Sequence, residues 1–507
     1  MTAAARPTMM LDVTLSPDAA VPAEPAEAAR RRREQRAWYV YDWANSAYQT
    51  TTLTVLFGPY LTVIAKRAAC PGQDTDLDCA TDLSLLGVPV APGSLALYAV
   101  TTATLLSALL LPVVGAIADR SGRKRTLLAR IAWTGAAAAS AMVFVGGTNW
   151  QLGVLLEIVA TLCFASALVV YDAILCEIAT PDERDAVSSK GWALGYLGGG
   201  ILLTLNLGLV TGHDAVGLSS EWAVRLSLLS AGIWWAAFTV VPYLGLRDRP
   251  AGARPAGLSG PAATEPTAWG SVAGKDAGAS AVTPDHRETP AELVRGAFSQ
   301  LARTLSHARG YPHTLLFLAA YLFYNDGIQT VIAAATIFGQ EELDLEQNQL
   351  IMTILLVQFV AFGGALLFGR IAAHVGARRT IFGGLVLWCA VVALGYVLPA
   401  GRFLPFLVLA FFIGIVLGGT QALSRSLFSQ MVPRGREAEY FSLYQCCERG
   451  TSWFGTLVFG LVYQLSGSYR YAILALVAFF VLGGVLLTRV DVRRAIRDAG
   501  NPEPALV

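Results

Sequence analysis

Charged residues are scarce in this 507-residue chain: Asp, Glu, Lys and Arg make up 14% of it, whereas an ordinary soluble domain carries about 25%. Hydrophobic residues make up 54%. The few charges cluster in short segments, and the stretches between them are apolar runs of roughly 20 residues, the length that a helix needs to cross a bilayer. Because lipid offers the backbone no hydrogen-bond partners, each run is predicted to be a helix.

Signatures of catalysis and of metal binding are lacking as well. The chain has five His residues, and none has metal-site spacing with a cysteine pair. It contains no Walker A string, no Gly-x-Ser-x-Gly elbow and no His-Glu-x-x-His motif. Its net charge is +1, and no basic patch carries the interleaved aromatic residues typical of nucleic-acid binding. We therefore expect no enzyme activity, no cofactor or metal, and no nucleic-acid partner.

The apolar runs predict an all-α membrane protein with twelve transmembrane helices. The predicted spans are 37–65, 93–117, 126–147, 151–179, 187–210, 222–246, 313–338, 348–372, 380–399, 404–426, 438–463 and 470–489.

Three segments lie outside the predicted spans. Residues 1–36, rich in Ala, Pro and Glu and ending in an Arg cluster, are predicted to be a disordered cytosolic tail. The Arg cluster has two interpretations, a topology signal or a contact with anionic lipid of the bilayer. Residues 247–312 are predicted to be a cytosolic linker, flexible where Ala, Gly, Pro, Ser and Thr predominate, and 490–507 a second cytosolic tail.

Basic and acidic loops alternate along the predicted spans. The basic set comprises 119–125, 180–186, 247–312, 373–379 and 430–437, and the acidic set includes 71–82 and 340–346. We call the two ends of the bundle where they lie the basic end and the acidic end. Positively charged loops stay in the cytosol, so we expect the basic end and both termini there. The Ala- and Arg-rich, Lys-poor composition is typical of a bacterial high-GC source, so the expected location is the inner (plasma) membrane.

The two groups of six spans repeat a motif. The string Gly115-Ala-Ile-Ala-Asp-Arg-Ser-Gly-Arg-Lys-Arg125 follows span 2, and Gly369-Arg-Ile-Ala-Ala-His-Val-Gly-Ala-Arg-Arg379 follows span 8. The repeat indicates internal duplication, with two pseudo-symmetric halves at 37–246 and 313–489 that are related by an axis along the membrane normal.

The first string resembles the signature loop between helices 2 and 3 of the major facilitator superfamily, Gly-x-Leu-Ala-Asp-Arg-x-Gly-Arg-Arg/Lys. The resemblance implies that Asp119 caps a helix of the other half and that the Arg residues latch the cytosolic gate. The candidate latch residues are Asp119, Arg120, Gly122 and Arg123. The second copy has Ala373 and Ala377 in place of the acid and one Arg, so any latch there is expected to be weaker.

A narrower resemblance lies in Tyr41-Asp-Trp-Ala-Asn-Ser-Ala-Tyr48 and Lys190-Gly-Trp-Ala-Leu-Gly-Tyr-Leu-Gly-Gly-Gly200. Both strings are similar to the autophagy-related vacuolar effluxer branch of the superfamily and its bacterial relatives. The resemblance implies a monomeric secondary active transporter of a small polar solute, with amino-acid efflux as the specific expectation. A membrane receptor or sensor that kept the fold is the alternative.

Polar residues with helical spacing mark candidate faces for transport. Span 1 carries Asp42, Asn45, Ser46, Gln49 and Thr52; span 7 carries Tyr324, Asn325, Asp326 and Gln329; span 11 carries Gln445, Glu448, Arg449 and Ser452. Such faces line a cavity or supply hydrogen bonds between helices. Counted from the basic end, Asp326 and Arg449 share a depth of roughly 20 Å, so we expect them to pair, either structurally or around a substrate.

Other charged residues in the spans suggest a gate and a coupling route. Asp42, Asp172 and Arg425 lie at shallower depths in spans 1, 4 and 10, which line the pathway in this superfamily, and are candidates for a gate between the halves. Glu157 is interpreted as a snorkelled charge near the acidic end. Span 4 lacks the Arg typical of many proton-coupled members, so a coupling proton would fall to Asp42 or Asp326.

A glycine-rich motif in span 5 and a pair of cysteines are two further candidates. The span 5 glycines resemble the antiporter motif of exporters, with Tyr196 in the place of its Pro, although close helix packing is the favoured interpretation. Cys70 and Cys79 lie in one loop at the acidic end, where they form either a disulfide or two free thiols.

Overall fold

The computed structural model of the chain describes residues 24–74, 79–85, 87–250, 299, 302–449 and 452–507. Within these ranges ten helices are long and apolar enough to cross a membrane. They fall into two groups, before and after residues 251–298, and the predicted all-α membrane fold is confirmed.

The N-terminal half contains seven helices and a short hairpin. The helices are α1 (Glu24–Ala47), α2 (Phe57–Ala69), α3 (Leu95–Ser121), α4 (Lys124–Ala141), α5 (Trp150–Ile178), α6 (Arg184–Thr211) and α7 (Ser220–Gly245). A π-helical segment, Tyr48–Leu56, joins α1 to α2, so that the three together form the first span. The strands β1 (Leu83–Leu85) and β2 (Val88–Val90) pair antiparallel, with Leu83 opposite Val90.

The C-terminal half follows the same pattern. Its helices are α8 (Pro312–Ile337), α9 (Gln347–Val375), α10 (Ala377–Tyr396), α11 (Phe403–Gln430), α12 (Glu437–Arg449), α13 (Ser452–Ser466), α14 (Tyr469–Ala475), α15 (Val477–Arg489) and α16 (Val492–Asp498).

At least three of the twelve predicted spans are not continuous α-helices, and one of these, span 12, divides at Leu476 between α14 and α15. Span 1 contains the π-helical segment, and span 11 divides into α12 and α13 around residues 450–451. A π-helix has more residues per turn than an α-helix, so it changes which side chains share a face. This change explains why Thr52 is fully buried, whereas the polar residues before it line the central cavity described below.

One predicted segment needs correction. Residues 24–36 were expected to be part of a disordered tail, but they extend α1 beyond the membrane. One side of this extension is held by Arg31, which pairs with Glu183 at 3.0 Å, and by Glu34, which pairs with Arg249. The predicted linker contains a helix over 302–308. Residues 1–23, 251–298 and 300–301 lie outside the described part of the chain.

The loop at the acidic end is closed by a disulfide. Cys70 and Cys79 are bonded, with their Cα atoms 6.0 Å apart. The bond and the hairpin that follows it brace the chain between α2 and α3.

Glycines allow the helices of the C-terminal half to pack closely. A Cβ at Gly418 in α11 would overlap the carbonyl oxygen of Ala361 in α9, and one at Gly364 in α9 would overlap that of Ile415. Small residues of this kind let helix backbones approach where lipid gives no hydrophobic driving force.

This packing predicts that Gly418→Ala destabilises the fold by about 1–3 kcal/mol, the usual cost of overpacking. Thermal unfolding of the purified protein in detergent measures the effect. Gly363→Ala is the matched control, because a Cβ at that position meets no atom within 4 Å. Equal unfolding temperatures for the two variants would contradict the expected close contact.

Candidate functional site

A buried guanidinium joins the two halves. Arg425 of α11 donates to Asp42 of α1 at 3.1 Å and to Asp172 of α5 at 3.3 Å. It also donates to the hydroxyl of Ser188 in α6 at 3.0 Å and to the carbonyl of Ser188 at 3.1 Å. Three helices of the N-terminal half thus meet one side chain of the C-terminal half.

Aromatic rings enclose the same guanidinium. Its central carbon lies 4.8 Å from the ring centre of Trp38 and 5.4 Å from those of Tyr171 and Trp192. Arg425 is only 2% exposed, and desolvated cation–π contacts of this kind contribute about 2 kcal/mol or more. The planar, always-charged guanidinium suits a site that combines stacking with two carboxylates.

A polar cavity lies beside this cluster. In this conformation its volume is about 30 Å³, room for about two water molecules. Its lining comprises Asp42, Asn45, Ser46, Gln49, Leu168, Asp172, Trp192, Arg425, Tyr444, Gln445 and Glu448. The amide of Gln445 donates to Asp172 at 2.9 Å and to Glu448 at 3.2 Å, so it connects α12 to the Arg425 cluster.

The lining carries unequal charge. Asp42, Asp172 and Glu448 supply three carboxyl groups, and Arg425 supplies one guanidinium. The indole N–H of Trp192 is buried and has no hydrogen-bond partner among the described residues. The cavity therefore offers acidic groups to a cation and a free donor to an acceptor.

The predicted pair between Asp326 and Arg449 is wrong. Asp326 accepts a hydrogen bond from the backbone N–H of Gly455 at 2.8 Å, in the first turn of α13. The start of a helix has unsatisfied N–H groups and a partial positive charge, so a carboxylate is stabilised there. The depth count had assumed one continuous helix across 438–463 and so missed the new helix start.

Arg449 turns to the other half instead. Its guanidinium lies 4.7 Å from the ring centre of Phe164 in α5 and donates to Gln445 at 3.3 Å. Between the described residues it forms no ion pair within 4.0 Å. A side chain at this depth that stacks across the interface is placed to respond when the halves move.

The remaining candidates divide between cavity and core. Gln49 and Asn45 line the cavity. Asn325 is fully buried, donates to the carbonyl of Glu448 at 3.0 Å and accepts from Gln421 at 2.8 Å. Tyr196 packs its ring on Trp192 outside the lining, and Gln329 is half-buried and also outside it.

A second connection between the halves lies at the surface of the basic end. The Asp119 carboxylate accepts from the backbone N–H groups of Ala438 at 3.0 Å and Glu439 at 2.9 Å, at the start of α12. The resemblance implied this contact, and the helix dipole explains it. Gly115 permits the approach, since a Cβ there would lie 2.5 Å from the carbonyl oxygen of Ala438.

The cation in this latch is Lys124, not an arginine as expected. Its ammonium lies 3.1 Å from Asp119, 3.0 Å from Glu177 and 3.5 Å from Glu437. Arg120 and Arg123 are exposed, and neither pairs with an acid in the described ranges. The loop motif predicts which residue types are present but not which of them enters the interface. Gly122, with a φ of 58°, turns the chain so that Lys124 begins α4 inside the interface.

Sequence reasoning also missed two further cross-half contacts at the basic end. Arg184 donates to the carbonyl of Ser429 at 2.7 Å. Near the C-terminus, Asn501 donates to the carbonyls of Gln430 and Val432, and the N–H of Ala505 donates to Asp182 of the other half at 2.7 Å. No sequence motif identifies either contact, because each involves backbone groups that only the folded chain brings close together.

These contacts show which end is closed. Within the described ranges, hydrogen bonds between the halves run from the basic end to the level of Arg425 and Cys446, and one more, from Gln358 to Thr50 at 2.9 Å, lies further toward the acidic end. The structure is therefore a conformation sealed at the basic end.

The fold is shared with solved transporters. It matches the E. coli fucose:proton symporter FucP with a TM-score of 0.61 and 11% identity, covering 91% of this chain and 98% of that chain. It matches a bacterial homologue of the iron transporter ferroportin in the outward-facing state with a TM-score of 0.58 and 13% identity, covering 91% and 98%. The protein therefore has the fold of these transporters.

Sequence comparison assigns the family. A family model described as "Vacuole effluxer Atg22 like" matches residues 30–500, so the chain belongs to that family. Its relatives include the MFS-type transporter YxiO of Bacillus subtilis (strain 168), 27% identical over 91% of this chain and 95% of that protein. Autophagy-related protein 22 of Pyricularia oryzae is 24% identical over 91% and 76%. The Bacillus relative is named an MFS-type transporter and the family model a vacuole effluxer, so the protein is a membrane transporter of the major facilitator type, in agreement with the prediction that it is not an enzyme.

The latch geometry predicts that Asp119→Ala loosens the closure of the basic end. The variant loses two backbone hydrogen bonds and an ion pair, of which the helix-dipole contribution alone is about 0.3–1 kcal/mol. The rate of thiol labelling at a cysteine introduced for buried Gln421 should rise. Arg120→Ala is the control and should leave the rate unchanged. An equal response from both variants would assign the latch to general loop charge instead.

Proposed function

We propose that this protein exports a small polar solute that carries an amino group, with amino acids as the solute class, by alternating access. The observation that supports the proposal is the surplus of carboxyl groups in the central cavity: Asp42, Asp172 and Glu448 against Arg425. An ammonium group would find carboxylate partners there and offset part of the surplus, and the free indole N–H of Trp192 would donate to a solute carboxylate.

The Arg425 cluster is the proposed gate. With the basic end closed, Arg425 holds Asp42 and Asp172 together across the halves. Opening that end requires these ion pairs to separate, and a bound solute or entering water would replace them. A gate whose charged residues pair with each other when closed, and with solute or water when open, fits alternating access between two faces.

The receptor alternative predicts a different result. A sensor that kept the fold would bind a ligand in the same cavity but would not release it on the other side. The two layers of cross-half contact, at Asp119 and at Arg425, favour transport, because a receptor needs no gate that seals one end separately.

The proposed orientation in the membrane follows from the charges of the loops. We place the basic end and both termini in the cytosol, and the acidic end outside, in the inner membrane of a bacterial cell. The disulfide between Cys70 and Cys79 supports this assignment, because it lies at the acidic end and disulfides persist on the oxidising side. We expect the transporter to work as a monomer with a small-molecule solute, coupled to a proton.

Transport is tested with purified protein in proteoliposomes. Counterflow of a mixture of radiolabelled neutral L-amino acids should be saturable, and Glu448→Gln should lower it roughly tenfold or more, because a charged hydrogen bond to the amine contributes about 1.5–3 kcal/mol. Glu341→Gln, which changes an exposed acid at the acidic end, is the control. Binding without counterflow in the unmodified protein would favour the receptor.

Topology is tested with single cysteines in intact cells. Val216→Cys, exposed between α6 and α7 at the acidic end, should react with an impermeant maleimide from outside. Arg309→Cys, exposed just before α8 at the basic end, should react only after the cells are opened. The reverse pattern would invert the proposed orientation.

A further inference from the structure

Glu157 is a buried acid that neither the gate nor the latch uses. It lies in α5, and although it was interpreted as a snorkelled surface charge, it is only 2% exposed. At helical spacing it shares one face of α5 with Thr161, Phe164, Leu168 and Asp172. The last two of these residues line the cavity, so Glu157 lies on the cavity face, fifteen positions from Asp172 toward the acidic end.

No cation accompanies this carboxyl group. Its Oε2 atom has no hydrogen-bond partner among the described residues, and none of their basic side chains comes within 4.0 Å of it in an ion pair. An ionised carboxylate buried in such a place costs several kcal/mol unless charge and donors surround it. A bound proton would remove that cost without any further contact.

The charged and titratable groups around this position are engaged elsewhere. On the first span, the Tyr48 hydroxyl lies 3.4 Å from Thr161, and Tyr60 donates to the Val145 carbonyl. Toward the acidic end, Arg67 of α2 and Arg225 of α7 both pair with Glu221. On α12, Arg449 stacks on Phe164. The charged residues of α4 lie in its basic-end part, and Tyr98 of α3 is exposed.

The first span covers Glu157 and is interrupted by the π-helical segment Tyr48–Leu56. One turn toward the acidic end, a Cβ at Gly153 would meet Leu61 of α2 at 2.7 Å and Phe57 at 3.6 Å, so α2 closes over this face. Two bonds fix the register, Trp38 to Tyr171 and Tyr48 to Thr161, and together they place Glu157 level with Thr52 in the π-helical segment. The buried hydroxyls of Thr51 and Thr52 also have no partner in the described ranges. Such π segments often mark functional sites.

We propose that Glu157 is a proton-binding site, loaded while the basic end is closed and uncovered when α2 moves on the π-helical segment. The proposal rests on the proposed transport function, since it identifies the coupling ion and its ligand. The proton would then leave when the carboxyl group meets water, and transport of the solute would be tied to that step.

The test reads conformation and needs no solute. Ala422, whose carbonyl accepts from Ser188 at 2.7 Å, is fully buried between the halves. In reconstituted A422C without its other free cysteines, the maleimide labelling rate is divided at each pH by that of exposed R309C, because the thiolate is the reacting species and its own titration raises both rates. This normalised rate, the quantity compared below, should rise roughly fivefold or more between about pH 6 and pH 9. The sign follows because the closed conformation holds the neutral acid, so removing the proton weakens it.

Two variants decide the assignment. Glu157→Gln mimics the neutral acid and should abolish the pH dependence, whereas Glu221→Gln, an acid at the same end that is already paired, should retain it. Glu157→Met, of similar volume, replaces Glu157→Gln if that variant does not fold. Retained pH dependence of the normalised rate in both Glu157 variants would overturn the proposal, as would a normalised rate that is independent of pH in A422C with Glu157 intact.

Sodium and transport are separated in the same preparation. Replacing Na⁺ by K⁺ at constant pH should leave the labelling rate unchanged, and a change that Glu157→Gln removes would assign the site to sodium and overturn the proton. Amino-acid counterflow reports on the proposed function by itself: Glu157→Gln should retain counterflow and lose the accumulation driven by a pH gradient. Absence of counterflow in the unmodified protein would instead contradict the transport proposal.

Discussion

The contact on which the rest of this structure depends is the buried ion pair of Arg425 with Asp42 and Asp172. Removing one member would leave uncompensated charge in a place with little water, at a cost of about 3–5 kcal/mol. The cluster therefore cannot be half-formed, and this makes it a two-state element. Its partners come from α1, α5, α6 and α11, so the separation of one guanidinium from two carboxylates requires the two halves to move apart.

The latch at Asp119 differs from this cluster in kind. It joins a carboxylate to a helix start, with Lys124 shared between three acids, and the side chains of Asp119 and Lys124 are largely buried. At the same end the N–H of Ala505 donates to Asp182 of the other half, and Asn501 donates to the carbonyls of Gln430 and Val432 in its own half. Two buried charge clusters in series, one at Lys124 and one at Arg425, must therefore both separate before the basic end opens.

The features that could be predicted from the sequence are those that depend on composition and on the rise of a regular helix. Hydropathy located the spans, and depth counting brought Asp42, Asp172 and Arg425 to one level, where the structure shows them in contact. It failed where a helix changes its geometry. The break after Arg449 gave Asp326 a helix start to cap, and the turn at Gly122 sent Lys124 rather than an arginine into the interface. Glu157 was misjudged because its burial comes from α2, a neighbour that no local pattern identifies.

Helix α5 links the gate to the proposed proton site. Asp172 is held by Arg425 near its basic end, and Glu157 lies on the same face toward its acidic end, under α2. A helix of 29 residues that moves as a rigid body would shift Glu157 against the first span when Asp172 is released from Arg425. The π-helical segment Tyr48–Leu56 lies at the level where that shift must be absorbed. The proposed coupling therefore needs no chain of intermediate contacts: one rigid helix carries an acid at each end, and a joint in its neighbour lets the two ends change partners together.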